Sequence, residues 1–538
     1  MATNEQIIGT WILISIYALV ILYFVIKGAL KIKSISDYAV GNVSFSPITV
    51  GLALAASMTS AATFVINPGF IAIYGISGVI SFGIVFPLAS IVSLVLLTKS
   101  FRKFGAKFKT LTMSQWIGER YKSKFYSLFV AFLSLLMITF VVLICVAITK
   151  VLSKALNVSE VYILLGVIIF VFGYMMFGGA NSMVYTNTIQ AAIMIIVAII
   201  LLTSGYTHFK EGIDGFMNQI SQVGSEFASS TNSQSPLFRD YFEIIFCQIV
   251  VGIAVVCQPH IITKSLLLKN ENKVNKFLTT AIIAEVLFFA VVFVGIFARL
   301  EFPDLTSNGT ALKSDGIIPA YVVKVFSSGI FSTIVGLIVV LGLLSAGLST
   351  LEGLIQSVSS TITNDIIKPI FGKRIKSDKA FITINKFAIV VLAVVTFFIS
   401  LNQILYPKLS VAILAQNGVY AYFSVLFVPI IFGIYLKKIK TKAALIASLT
   451  AFFMHFGLYY FMPVLIEKKI VNLGYANQYF EGLVRNPAIA SAIAIICSVL
   501  VGFSIYSYQK YKTKQQENSN QNEPIIEIKE EDKVLEQI

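Results

Sequence analysis

The chain has 538 residues, 57% of them hydrophobic and 12% charged, with a formal net charge of +15. Soluble domains carry about 25% charged residues, so the bulk of this chain belongs in lipid. Its Lys and Arg sit in short loops between apolar runs, the pattern of a membrane protein and not of a nucleic-acid binder.

A helix needs about 20 apolar residues to cross roughly 30 Å of hydrocarbon. Runs of that kind fall at about 6–28, 46–74, 77–98, 125–149, 159–177, 187–207, 240–267, 277–299, 328–362, 385–403, 409–436, 443–463 and 486–508. These thirteen runs are numbered here as spans one to thirteen. An open strand edge does not survive in hydrocarbon, so the fold class is an all-α integral membrane protein. Span one has an acidic flank and no small-residue cleavage site, and reads as a retained helix rather than a signal peptide. Cys145, Cys247, Cys257 and Cys497 lie within apolar segments at no ligand spacing and read as small core residues.

Most of the 41 basic residues fall in the loops 27–45, 99–124, 264–276, 368–386 and 437–442, while 178–186 has none. By the positive-inside rule these loops are cytoplasmic, which predicts an N-out, C-in topology. The outside loop GSEFASSTNSQSPLF is polar and expected to be mobile, and the sequon Asn308-Gly309-Thr310 beyond it reads as coincidence.

Several spans look interrupted. Span two reads GLALAASMTSAATFVINPGF, span seven carries Gln248, Gly252 and CQPH, and span eleven holds AQNG. Pro and Gly inside a span free backbone groups that neighbours or a ligand must satisfy. Paired interruptions near the midplane point to a transporter binding site. Spans two and seven lie five apart, as two repeats of five helices require. The expected organisation is an N-terminal helix and loop at 1–45, repeats at 46–239 and 240–442, two further helices at 443–508, and a disordered cytoplasmic tail at 509–538.

Span nine poses the sharpest question with LSAGLSTLEGLIQ, residues 344–356. A carboxylate near the bilayer centre costs about 2.5–3.5 kcal/mol on insertion scales, so Glu352 needs a reason. Ala346, Ser349 and Thr350 share one helix face at i, i+3 and i+4. They offer a carbonyl and two hydroxyls to a hard cation, which takes oxygen ligands. Carbonyls freed where span two unwinds supply the rest. Each hydroxyl taken alone has a plainer role, bonding back to its own helix.

At this point the chain resembles the sodium:solute symporters, which carry sugars, proline, pantothenate, sialic acid and monocarboxylates. The likeness covers about 30–440 and rests on FGGANSMVYTNTIQ (177–190), similar to the family's G-G…D-x-x-Q, on QPHIITK (258–264), and on AGLSTLEG (346–353), similar to A-x-x-S-T. It implies the leucine-transporter-type fold of inverted five-helix repeats, alternating access and sodium as the coupling ion. The sodium site it implies lies on the carbonyls of Ala56, Thr59 and Ala346 and the hydroxyls of Ser349 and Thr350. The chain departs from the family at two places: Asn187 stands where the loop usually has Asp, and Glu352-Gly353 stand where many members have small residues. In members with a second sodium site, that Asp and those small serines form it. Glu352 then reads as ligand of a second cation or carrier of a proton with Asn187 beside it, or else as an acid reaching the cytoplasmic edge. Glu285 in span eight has no assigned role.

SAATFVINPG (60–69) is most like the pantothenate and monocarboxylate branches, and span four has no Arg of the kind expected in sialic acid carriers. Ser60, Thr63 and Gln248 are the substrate candidates. The expected function is sodium-coupled import of a small monocarboxylate or pantothenate-like anion across a bacterial plasma membrane, with a single chain as the working unit and no nucleic-acid partner. The alternatives are another solute of the same family (proline, sialic acid or a sugar) or proton coupling. A channel needs a filter repeated around an axis, and a sensor needs a signalling domain longer than the tail. An enzyme is excluded because His208, His260 and His455 form no site with the scattered acids; His260 reads as a cap on span seven and His455 as a packed polar residue.

Overall fold

The structure is a computed structural model describing residues 2–268, 271–307, 309–372, 377–407, 410–436 and 439–521. Among these residues ten helices are long and apolar enough to cross a bilayer, and two bent pairs raise the number to twelve if each is one span. The ten are Asn4–Ala29, Ile76–Phe108, Lys124–Leu156, Glu160–Thr203, Val274–Glu301, Gly329–Phe371, Asp378–Leu405, Val411–Tyr435, Thr441–Glu467 and Pro487–Gln516. Their bare faces are greasy stripes at helical spacing, such as Ile8, Ile12, Ile16 and Leu19 on span one and Phe387, Val391, Val394 and Phe398 on span ten.

The expected count of thirteen takes spans five and six separately, whereas Glu160–Thr203 forms one run of 44 residues. At 1.5 Å per residue a straight helix of that length would measure about 66 Å, twice the hydrocarbon thickness. It is not straight. Gly179 takes φ 62°, ψ −169°, and Tyr174 and Gln190 on either side both donate to the same oxygen of Glu352. Sixteen residues along a straight helix would separate them by about 24 Å, so the chain doubles back and lays its two arms side by side. The looked-for loop at 178–186 is helical on both sides of that single glycine. Only glycine occupies this backbone region freely. A Cβ here would also stand 2.9 Å from Ile32 Cδ1 and from the Tyr38 ring. Gly179→Ala is therefore expected to cost about 1–3 kcal/mol for the backbone alone, read as a lowered melting temperature of the purified protein in detergent.

Span two is the bent pair Pro47–Met58 and Ala62–Tyr74, and span seven the pair Phe242–Val255 and Pro259–Leu267, each bent by 52°. Ser46 caps the first helix through the N–H of Thr49, with Pro47 at the position where its missing N–H costs nothing. The helix stops at Thr59, which is extended (φ −100°, ψ 95°), and restarts when the Ser60 hydroxyl accepts from the N–H of Ala62 at 3.0 Å. In span seven, Gln258 is extended, as the residue before a proline prefers, and Pro259 opens the second half. The interruption expected in span eleven is absent, since Val411–Tyr435 is a continuous helix, and Gly329–Thr361 of span nine is continuous too. Their polar residues face partners instead of breaking the backbone.

Spans two and eight press backbone to backbone. A Cβ on Gly51 would lie 2.6 Å from the Phe277 carbonyl oxygen, and one on Gly295 would lie 2.2 Å from that of Pro68. The outer loop expected to be mobile packs down, with Phe227, Leu237 and Phe238 buried and Asn232 donating to the Tyr74 carbonyl. The last helix continues to Gln521, into the segment read as tail; residues 522–538 and Asn308 of the sequon lie outside the described residues.

Candidate functional site

The break in span two faces the middle of span nine. Ser349 donates to the carbonyl of Ala56 at 2.6 Å and lies 3.1 Å from that of Ala346. Thr350 lies 3.2 Å from the Ser57 carbonyl and 3.4 Å from that of Ala346. A helix that ends at Thr59 leaves its last carbonyls without N–H donors, and the two hydroxyls of span nine meet them. Ala56, Ala346, Ser349 and Thr350 are all 0% exposed. Thr59 turns its own hydroxyl back to the Ala55 carbonyl at 2.6 Å. The set is uncharged, hard and dry, which suits a singly charged hard cation. Among the described residues no group of three or more His, Cys, Asp or Glu stands ready for a metal ion.

Glu352 does not reach the cytoplasmic edge. It is fully buried, and its carboxylate accepts from Tyr174 at 2.7 Å, Gln190 at 3.1 Å and Thr186 at 2.5 Å. Both arms of the Gly179 hairpin thus supply its donors. Asn187 turns away, donating to the Ser57 hydroxyl at 2.9 Å and the Ser349 carbonyl at 3.3 Å, while its own carbonyl oxygen has no partner. Lys264, counted above with a cytoplasmic loop, is 2% exposed. The bend in span seven carries it back against span two, where its ammonium donates to the Ala53 carbonyl at 2.8 Å and the Ser57 hydroxyl at 2.5 Å.

Beside the break lies a cavity of about 90 Å³. Ser60 and Thr63, the first residues past the break, line it; Gln248 does not. Its other polar walls are Asn67, Gln258, His260, Gln416 and Tyr420, with Phe140 and Phe289 among the apolar ones. No lining side chain carries a formal charge. Neither ring nitrogen of His260 nor the carbonyl oxygen of Gln258 has a partner, although both residues are buried. His260 is thus a cavity wall, not a cap. Among the features left aside, His455 bonds Asn417 at 2.9 Å, and Glu285 is fully buried with both carboxylate oxygens unpartnered.

Two bent helices meeting beside a neutral oxygen cage and a polar cavity define a secondary membrane transporter. The profile of the sodium:solute symporter family matches residues 38–451, and the chain belongs to that family. Membership makes sodium the coupling ion and a solute its companion. The chain is 26% identical over 419 residues to the sodium/pantothenate symporter of Haemophilus influenzae, covering 76% of this chain and 81% of that protein. It is 24% identical over 480 residues to the sodium/pantothenate symporter of Escherichia coli, covering 87% and 90%. In fold it is similar to a Na+-coupled sialic acid symporter solved in a substrate-bound outward-open state, with TM-score 0.72 and 16% identity over 92% of this chain and 96% of that one. The fold is the leucine-transporter type expected above.

Proposed function

We propose that the chain imports a small organic anion of the pantothenate or monocarboxylate class, driven by inward sodium, with its N-terminus outside and its C-terminus in the cytoplasm of a bacterial cell. The observation that carries the reading is the meeting of the Ser349 and Thr350 hydroxyls with the carbonyls freed at the break of span two. Sodium takes the carbonyls of Ala56, Thr59 and Ala346 and those two hydroxyls. Bound there, it fixes the end of one half-helix against span nine. Ser60 and Thr63 begin the other half, so ordering the break for the ion also orders the wall of the solute cavity. This shared element couples the two sites, each ligand favouring the arrangement the other needs. One chain supplies both sites, which makes a monomer sufficient.

The solute class is supported by the names of the two relatives and by the cavity's chemistry. With no charged side chain present, a carboxylate is met by the ring N–H of His260, which has no partner, and by the hydroxyls of Ser60 and Thr63. The absence of an Arg from span four argues against sialic acid. The cavity holds only about three waters' volume, so the solute enters by a movement of the broken helices.

The test is uptake of labelled pantothenate, monocarboxylates, proline and sialic acid into proteoliposomes, with and without a sodium gradient. Sodium-driven accumulation of a carboxylate is expected. Strong sialic acid uptake with no response to the other acids would overturn the solute assignment. His260→Phe is expected to raise the KM for the carried acid about tenfold or more, since a hydrogen bond to a charged group is worth about 1.5–3 kcal/mol. The sodium concentration for half-maximal uptake should stay near that of the wild type.

A further inference from the structure

We propose that the ammonium of Lys264 is a tethered cation that takes the place of a second coupling ion, so that one chain binds a single sodium. The proposal rests on the sodium reading above and extends it to the number of ions carried. Glu352 is a carboxylate at full burial in a membrane protein, and hydrogen bonds from Tyr174, Thr186 and Gln190 do not neutralise its charge. A buried acid of this kind calls for a positive partner. Asn187, next to Thr186 and three residues before Gln190 on the same arm, is neutral and contributes none.

Lys264 is the cation that the fold delivers. A short polar chain carries it toward Glu352, ending on the Ser349 carbonyl, one turn before Glu352 in span nine, and on Asn187, the neighbour of the Thr186 that holds the carboxylate. The ammonium bonds Ser57 Oγ at 2.5 Å, Ser57 Oγ bonds the Ser349 carbonyl at 3.0 Å, and Asn187 bonds both. The same ammonium sits on the Ala53 carbonyl, one helical turn before the Ala56 carbonyl of the sodium site. A mobile cation entering this network would meet a fixed positive charge one hydroxyl away and would have to displace it from its oxygens. Ser57 is the pivot: its hydroxyl serves Lys264 and its carbonyl serves Thr350. The tethered and the mobile cation therefore grip adjacent turns of the same half-helix, and the second needs no ion from solution.

Binding of radioactive sodium to the purified full-length protein tests this without knowledge of the solute. The wild type is expected to saturate at one sodium per chain with a Hill coefficient near one. Lys264→Gln vacates the place of the ammonium while leaving Glu352, and is expected to bind two. The double variant Lys264→Gln/Glu352→Gln is expected to return to one, and Lys264→Arg to stay at one. Two sodium ions in the wild type, or one in a folded Lys264→Gln protein, would overturn the proposal and leave the sodium site standing. If Lys264→Gln does not fold, the wild-type count decides. No sodium bound by any of the proteins would remove the sodium reading and this proposal together.

Discussion

Alanine at Ser349 or at Thr350 is expected to raise the sodium concentration for half-maximal uptake about ten- to a hundredfold. Each substitution deletes one hard oxygen from a small neutral cage. A contact of that kind to a charged group is worth about 1.5–3 kcal/mol, and each 1.4 kcal/mol is tenfold in affinity. The fold itself should tolerate the change. In the ion-free protein the hydroxyls meet the carbonyls of Ala56 and Ser57, and losing one such bond costs about 1 kcal/mol. Ser360→Ala in the same helix supplies the control, because that buried hydroxyl has no partner to lose. Uptake measured against sodium concentration in proteoliposomes reads all three proteins. Unchanged sodium dependence in both Ser349→Ala and Thr350→Ala would remove the cage from the transport mechanism.

These residues could be found from the chain alone because the cage is largely local. Ala346, Ser349 and Thr350 sit within five positions on one helix face, and the break opposite them announces itself in hydroxyls followed by Asn67-Pro68-Gly69. The long apolar runs were equally plain. What composition and spacing do not carry is where a bend sends the chain next. Gln248 and Gln258 are both glutamines in span seven, and periodicity has no meaning across the extended residue at 258, so spacing does not say that Gln258 and not Gln248 lines the cavity. The same bend hid Lys264. A lysine after a proline near a span's inner end reads as cytoplasmic, yet the second half-helix folds it inward against Ala53. Gly178-Gly179 read as a loop because glycine pairs usually end helices; here one positive-φ residue turns the chain while helix continues on both sides. Glu352 was conspicuous as a misplaced acid, but its partners Tyr174 and Gln190 stand 178 and 162 residues away. Side-chain pattern within a helix holds no record of them.

Glu352→Gln is expected to destabilise the protein and abolish concentrative uptake. Tyr174, Thr186 and Gln190 all donate to this carboxylate, and an amide presents its own N–H groups to one of these donors. The larger loss is electrostatic. Removing one member of a buried pair costs about 3–5 kcal/mol when the charges touch. Here the link is indirect, since Lys264 reaches Ser57 and Asn187 while the carboxylate is held by Thr186 next to Asn187, so a coupling of about 1–3 kcal/mol is the appropriate scale. Thermal unfolding of wild type, Glu352→Gln, Lys264→Met and the double variant closes the cycle. The double variant should melt above the sum of the two single losses, because neither buried charge is then left alone. A second rescue follows from geometry. Asn187 already touches the Ser57 hydroxyl that holds Lys264, so Asn187→Asp in a Glu352→Ser background returns a carboxylate to the ammonium from the neighbouring arm. That protein should regain part of its gradient-driven uptake, whereas Glu352→Ser alone should not. Additive losses across the cycle, together with wild-type accumulation by Glu352→Gln at several pH values, would mean that this acid is a hydrogen-bonded spacer with no part in balancing charge.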